Sequence, residues 1–185
     1  MRMVYKSEMD KPEYRGPKRR YWAGFNILPA TVGEVPLLAA ATAGLLGNFR
    51  SPAVFSNQFA VIVESIWAYM ATDVAPDLAL LTNGITATFL ANGKRVMDNV
   101  LLALLPSDAG LQEAVAIPAA AVAAVQVGAH RGPRYNMGSW KPLVAKGEAI
   151  EASFNIPVAL AGLPVGGVIT SLWFEVRAIG YIKEE

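Results

Sequence analysis

Charged side chains are scarce in this chain, and their scarcity limits the folds open to it. Only 17% of the 185 residues are charged, whereas an average soluble domain has about 25%. Apolar residues make up 54% of the chain. A single domain of this length can bury a substantial core, but it does not need this much apolar surface. The surplus therefore predicts that the surface meets further copies of the chain.

The charges that are present divide the chain into two parts. Residues 1–20 carry seven Lys/Arg and three acidic residues, a net charge of +4, whereas residues 21–185 carry a net charge of −3. Lys11-Pro12 and Gly16-Pro17 interrupt local structure. We therefore predict a basic, extended N-terminal arm at 1–20 and one domain at 21–185. The arm is either a binding element or a solvated terminus, and the sequence leaves both interpretations open.

The domain is predicted to be mainly β. Strands are indicated at Phe59–Met70, Ile85–Leu90, Val100–Leu105, Glu148–Asn155 and Val168–Ile182. The first of these is rich in branched and aromatic residues. Neither of its alternate faces is polar, so we expect a strand covered on both sides. Asn92-Gly93 lies between strand-like flanks and predicts a type I′ hairpin turn.

Helical structure is predicted to be scarce. Val35–Leu46 and Gln112–Val125 are rich in alanine, which favours helix. Pro118 interrupts the second segment, and the branched residues of both also permit strand. Residues 126–147 contain repeated Gly and Pro and predict a long irregular connection. Several strands with Gly/Pro-rich turns favour an all-β sandwich or barrel.

The sequence offers few groups for chemistry. It contains no Cys and one histidine, His130, which is too few imidazoles for a typical metal site. Asp73 and Asp77 are expected to be solvated turn residues rather than calcium ligands. No nucleophile elbow or phosphate-binding glycine motif occurs. We therefore predict no catalytic, cofactor or metal site, no small-molecule substrate, and no enzymatic activity.

Basic residues interleaved with aromatic ones are the remaining candidates for contacts. Cations can neutralise phosphates, and rings can stack on bases. The same residues could instead pair with acids on a neighbouring subunit. The candidate contact residues are Arg15, Lys18, Arg19, Arg20, Trp22, Arg131 and Arg134.

The order of these features resembles that of single jelly-roll capsid proteins of tailless icosahedral viruses, most of all phages. A basic arm ending in Lys18-Arg19-Arg20 precedes a β-rich body. Trp140-Lys141-Pro142-Leu143 and Gly147 then lead to the strand Ile150–Phe154. A loop through Gly166-Gly167 follows, before the last long strand. This ending is similar to the closing strands of viral jelly rolls.

The resemblance implies a single jelly-roll sandwich or barrel of eight strands in two sheets, with an extended N-terminal arm. It further implies a structural subunit of the virion that assembles with copies of itself and with other capsid proteins. The arm could contact the genome, and a membrane could lie beneath the shell. The longest apolar runs span about twelve residues, and a membrane-crossing helix needs about 20.

Three other functions share parts of this pattern. A virion decoration, spike or tail component would have a similar composition. A small oligomeric β-sandwich binding module, such as a lectin, would expose a polar or aromatic pocket. An enzyme on a cupin-like barrel fits least, since one histidine supplies few catalytic groups.

Overall fold

Ten β-strands make up the regular structure of the described residues, together with two short 3-10 turns in the arm. The computed structural model describes residues 2–38, 45–49, 53–71, 84–102, 105, 139–160 and 165–179, without the side chains of residues 45 and 69–71. These ranges contain no α-helix. The strands are β1 (Arg2–Tyr5), β2 (Lys18–Ile27), β3 (Gly33–Pro36), β4 (Leu45–Gly47), β5 (Ala60–Ala71), β6 (Thr86–Ala91), β7 (Lys94–Leu101), β8 (Trp140–Val144), β9 (Ile150–Ile156) and β10 (Val168–Ile179).

The strands form two antiparallel sheets. The large sheet has the order β1-β8-β5-β10-β2-β4, and the small sheet has the order β3-β9-β6-β7. Every strand pair in both sheets is antiparallel. The prediction of an all-β fold is confirmed at this level.

The pairing follows a nested pattern once β1 and β4 are set aside. Of the remaining eight strands, the first pairs with the last, β2 with β10. The second pairs with the seventh, β3 with β9. The third pairs with the sixth, β5 with β8, and the fourth with the fifth, β6 with β7. The last four of these strands therefore pair, in reverse order, with the first four.

The main core lies between the sheets and is built by alternate residues of the long strands. On β10, Leu172, Phe174, Val176 and Ala178 point inward and are fully buried, which agrees with the period-2 alternation of a strand. Phe174 contacts Phe89 of the small sheet, with 4.9 Å between ring centroids. The two sheets thus share one apolar core.

The hairpin predicted at Asn92-Gly93 is present. Asn92 has φ 50° and Gly93 has φ 66°, so both central residues have the left-handed backbone of a type I′ turn. The turn joins β6 to β7, with Ala91 opposite Lys94.

Because Gly93 requires a positive φ, we expect Gly93→Ala to lower the free energy of unfolding by about 1 kcal/mol. A Cβ at this position would meet no atom within 4 Å, so any loss reports backbone strain rather than a clash. Gly166 is the matched control, because a Cβ there also meets nothing within 4 Å and its φ is not positive. Urea unfolding of both variants measures the difference. Equal stability of the two variants would contradict the turn geometry.

Three segments differ from the prediction. The strand predicted at Val100–Leu105 is one of them, because β7 begins at Lys94 and already ends at Leu101. The ends of Val35–Leu46 are strands, since Val35 lies in β3 opposite Phe154 and Leu45 lies in β4 opposite Phe25. Strand pairing overrides the helical preference of alanine at both ends. Residues 140–144, predicted to be irregular, form β8. Gln112–Val125 lies outside the described residues.

Pro142 explains the limited pairing of β8. This strand pairs with β1 over four residues but with β5 only at Val144 and Leu143. Proline has no N–H to donate, so it is tolerated in a strand only where a ladder hydrogen bond is missing. The irregular composition of this segment is therefore compatible with a short strand.

The arm packs onto the large sheet. Strand β1 pairs with β8, the turns Lys6–Glu8 and Pro12–Tyr14 follow, and β2 begins at Lys18. The predicted boundary after residue 20 therefore falls within β2. Gly16 permits the approach to β10, because a Cβ there would lie 1.7 Å from the Ala178 carbonyl oxygen.

Candidate interaction surface

The face of the large sheet turned away from the core, here called the outer face, collects three of the seven candidate contact residues. The register of β10 with β2 places Trp22 beside Trp173 and Arg20 beside Glu175. Two residues further along each strand, Lys18 lies beside Arg177. Because residues two apart share a face of a strand, Lys18, Arg20 and Trp22 lie together on the outer face.

Three indole rings form a row across the middle of this face. Trp173 stacks on Trp22 of β2, with 5.6 Å between ring centroids and 15° between planes. It also stacks on Trp67 of β5, at 6.0 Å and 18°. The Trp173 Nε1 donates a hydrogen bond to Ser171 Oγ at 2.9 Å. The row is therefore a rigid aromatic stripe, in which Trp67 is buried and the other two rings are half-buried.

Two glutamates and three cations form an ionic cluster next to the stripe. Glu64 Oε2 lies 2.8 Å from Lys18 Nζ, and its Oε1 accepts a hydrogen bond from Arg177 Nε. Glu175 lies 3.8 Å from Lys18 Nζ and 3.9 Å from Arg20 Nε. The glutamate side chains are about nine-tenths buried, at 11% and 8% exposure, whereas those of Lys18 and Arg20 are half-exposed. The cations thus satisfy buried carboxylates and still reach solvent.

A β-bulge brings Glu64 into this cluster. In the pairing of β5 with β10, Glu175 lies opposite Ser65 and Val176 lies opposite Val63, so Glu64 is the extra residue. A bulge re-aims side chains locally. On the N-terminal side of the bulge, Val63 faces the core, whereas on the C-terminal side Ile66 does. The strand therefore changes which alternate residues face inward.

The arm covers the rest of the outer face. Val4, Met9 and Tyr14 bury themselves against Ile62 of β5, in a second apolar cluster separate from the main core. Arg177 Nη1 donates to the Met9 carbonyl oxygen at 3.3 Å. The ionic cluster therefore also holds the arm in place.

Lys141 and Lys6 bring two positive charges close together where the arm meets the large sheet. Burial lowers the pKa of Lys141, and the nearby charge of Lys6 lowers it further, while Glu64 opposes the shift. At the exposed end of the arm, a hydrogen bond from Lys11 lowers the pKa of Glu8, with a second contribution from the Tyr5 backbone N–H.

Of the other predicted contact residues, Arg15 and Arg19 do not join this surface. Arg19 points to the opposite face of β2, with its guanidinium 4.6 Å from the centroid of the Phe59 ring. Arg15 is exposed, and its Nε donates to the Asp10 carbonyl oxygen at 3.0 Å. Arg131 and Arg134 lie outside the described residues, as do His130, Asp73 and Asp77.

Sequence reasoning missed Glu64, Glu175 and Arg177 as members of the cluster. The alternation of β10 placed Glu175 and Arg177 on one face, and this was the available signal. Their partners are distant along the chain; Arg177 and Glu64 are separated by 113 positions. No local pattern encodes such a pairing.

A pocket of about 590 Å³ opens beside Arg19, at the end of the sandwich where β2 begins. The pocket is also lined by Asn48, Ser56 and Phe59. Asn48 closes the adjacent edge of β2, accepting from the Trp22 N–H at 2.8 Å and donating to the Arg20 carbonyl oxygen at 3.0 Å. None of the ten residues lining the pocket is acidic.

The described residues contain no group of three or more His, Asp or Glu side chains that could hold a metal ion. No helix within those ranges is long and apolar enough to cross a membrane. No protein family, characterised protein or solved structure matches this chain.

Proposed function

We propose that this protein is a structural subunit of a viral capsid, built as a single jelly roll and assembling through apolar lateral contacts. The sequence resembles the single jelly-roll capsid proteins of tailless icosahedral viruses, most of all phages. The partners would be copies of the same chain and other capsid proteins, with the genome or an underlying membrane as further contacts. The location would be the virion.

The nested strand pairing is the observation that carries this proposal. A jelly roll has eight strands in two Greek keys. A long hairpin of eight strands that rolls into two sheets pairs first with last, second with seventh, third with sixth and fourth with fifth. Strands β2, β3 and β5 to β10 pair in this way. The additional pairs of β5 with β10 and β6 with β9 complete two four-stranded sheets.

The distribution of apolar side chains supports self-assembly. Ten large apolar residues are exposed in the described ranges, namely Met3, Tyr5, Leu28, Val32, Leu46, Leu101, Trp140, Val158, Val165 and Ile169. Single exposed apolar residues are ordinary, but grouped ones mark contact surfaces. Leu28, Val165 and Ile169 belong to one end of the sandwich, where β2 ends and β10 begins. Closed symmetry lets many copies cover such surfaces without open-ended aggregation.

The arm and the outer face supply a second contact region. Lys18 and Arg20 project half-exposed beyond the buried glutamates, and the tryptophan stripe lies beside them. A surface of cations and indoles suits a phosphate backbone or an acidic neighbouring subunit. We therefore keep Lys18, Arg20 and Trp22 as contact residues of the proposed subunit.

Particle formation tests the proposal directly. Mass photometry and negative-stain microscopy of the purified full chain should show closed shells, rings or other defined assemblies at micromolar concentration. Co-expression with candidate capsid partners is the second arm, since a lattice can need two proteins. A monomer of 19.7 kDa under both conditions would overturn the proposal.

The pocket beside Arg19 favours one other function, that of a small ligand-binding module. Its volume of about 590 Å³ lies within the range of small-molecule sites, roughly 300–1,000 Å³. Amide and hydroxyl groups beside aromatic rings suit a sugar. Asn57 also lines the pocket and contributes an amide. A glycan array separates the two functions, because a binding module should retain specific glycans that the Asn57→Ala variant loses.

A further inference from the structure

Among the described residues, strand β1 forms an open edge of the large sheet. It is the terminal strand of the sheet, and its only partner among the described strands is β8. The Lys6 N–H donates to the Ser139 carbonyl oxygen at 2.7 Å, which fixes the alternation of the ladder. Residues 2 and 4 therefore bond to β8, while the backbone groups of Met3 and Tyr5 point outward.

One of these outward groups is already capped. The Tyr5 N–H donates to Glu8 Oε2 at 3.3 Å, and Lys11 Nζ holds the same carboxylate at 3.0 Å. The N–H and C=O of Met3 have no such cap in the described ranges. An edge of this kind is a template for pairing with another strand.

Three large apolar side chains are exposed along this edge. Met3, Tyr5 and Trp140 are 36%, 39% and 51% exposed, and the Tyr5 and Trp140 rings meet edge to face at 4.9 Å. The exposed cations Arg2 and Lys6 flank them at the two ends of the strand. Between these cations the edge presents apolar surface that is costly to leave in water, which supports a covering partner.

We propose that two copies of the chain pair through β1, antiparallel about a two-fold axis, with Met3 opposite Met3 of the second copy. The same four residues then serve both sides, as an isologous contact requires. In this register the two Met3 residues exchange both backbone hydrogen bonds, and Glu8 still caps Tyr5. The register that places Met3 opposite Tyr5 would have to displace Glu8 from the Tyr5 N–H.

The contact joins two large sheets into one continuous sheet and brings two Met3–Tyr5–Trp140 groups together. Because β1 spans only four residues, the buried area falls below the range of roughly 1,200–2,000 Å² typical of stable complexes. We therefore expect a weak dimer in solution. Its biological setting rests on the proposed shell, where many weak contacts act together.

Cysteine cross-linking tests both the contact and its register. The chain has no native Cys, so Met3→Cys introduces a single thiol. Hydrogen-bonded antiparallel neighbours lie about 5.5 Å apart between Cα atoms, a distance that a disulfide can span. Under mild oxidation we expect Met3→Cys to form disulfide dimers at least tenfold faster than Val158→Cys, a control whose side chain is 50% exposed away from this edge.

Three outcomes decide the matter. If the two variants cross-link equally, or if neither cross-links, the β1 contact is wrong. The same result is expected if a different protein or a membrane occupies this edge. Particles that form while Met3→Cys stays unlinked also overturn it but leave the shell proposal standing. Selective dimers without particles support the contact and count against the shell. Matching thermal unfolding of both reduced variants and the unsubstituted chain shows that folding is unchanged.

Discussion

Phe174→Ala is expected to lower the free energy of unfolding by about 4 kcal/mol. Phe174 is fully buried on β10. Its ring lies 4.9 Å from that of Phe89, 5.7 Å from that of Phe55 and 6.2 Å from that of Phe49. The substitution removes the side chain that joins the large sheet to the small one, and it leaves a cavity where neither sheet can easily close. Since a domain has about 5–15 kcal/mol in total, the variant should unfold at a clearly lower concentration of denaturant.

Chemical denaturation followed by tryptophan fluorescence and by circular dichroism measures this loss. Ile169→Ala is the matched control, because Ile169 lies on the same strand but is 40% exposed. Its cost should stay near 1 kcal/mol or below. If Phe174→Ala costs no more than Ile169→Ala, the two sheets do not pack through this ring and the sandwich is wrong.

The parts of the fold that the sequence predicted are those with local signals. The hairpin at Asn92-Gly93 follows from two residues that accept a positive φ. Strands β5, β9 and β10 begin within two residues of their predicted starts, since each combines branched or aromatic residues with alternation. The covered strand was also correctly predicted, because β5 is buried on both faces by the core and by the arm.

The bulge at Glu64 could not be read from the sequence. A strict alternation over Phe59–Met70 places Val61, Val63, Ser65 and Trp67 on one face. In the structure Val61 and Val63 face the core, whereas Ser65 bonds to Glu175 on the outer face. The extra residue in the ladder depends on where β10 pairs, and β10 lies more than 100 positions away. A pattern within one strand does not contain that information.

The arm shows the same limit. Its charge made it look separate from the domain, but Val4, Met9 and Tyr14 are buried against Ile62. These three side chains have no helical or strand period, so no local pattern marks them as a buried set. Their burial depends on a surface that β5 and β10 form together. The interpretation of residues 1–20 as a simple charged arm therefore missed its apolar half.

Glu64→Ala should give the second largest loss, about 2 kcal/mol. Glu64 is the shared partner of Lys18 and Arg177, with only 11% of its side chain exposed. Removing it leaves the Arg177 guanidinium, which is 20% exposed, beside Lys18 with one carboxylate fewer between them. The loss is smaller than for a fully buried pair because Lys18 reaches solvent. Urea unfolding at low and high salt measures both the size of the effect and its electrostatic share.

A double-mutant cycle separates the pairing from the loss of packing. If Glu64 acts through Arg177, Glu64→Ala combined with Arg177→Met should cost less than the sum of the two single changes. Glu8→Ala is the control, because Glu8 also pairs with a lysine but at an exposed site, where such pairs contribute little. A loss at Glu64 no larger than at Glu8 would mean that the cluster does not stabilise the outer face. Arg177 would then hold the arm through Met9 alone.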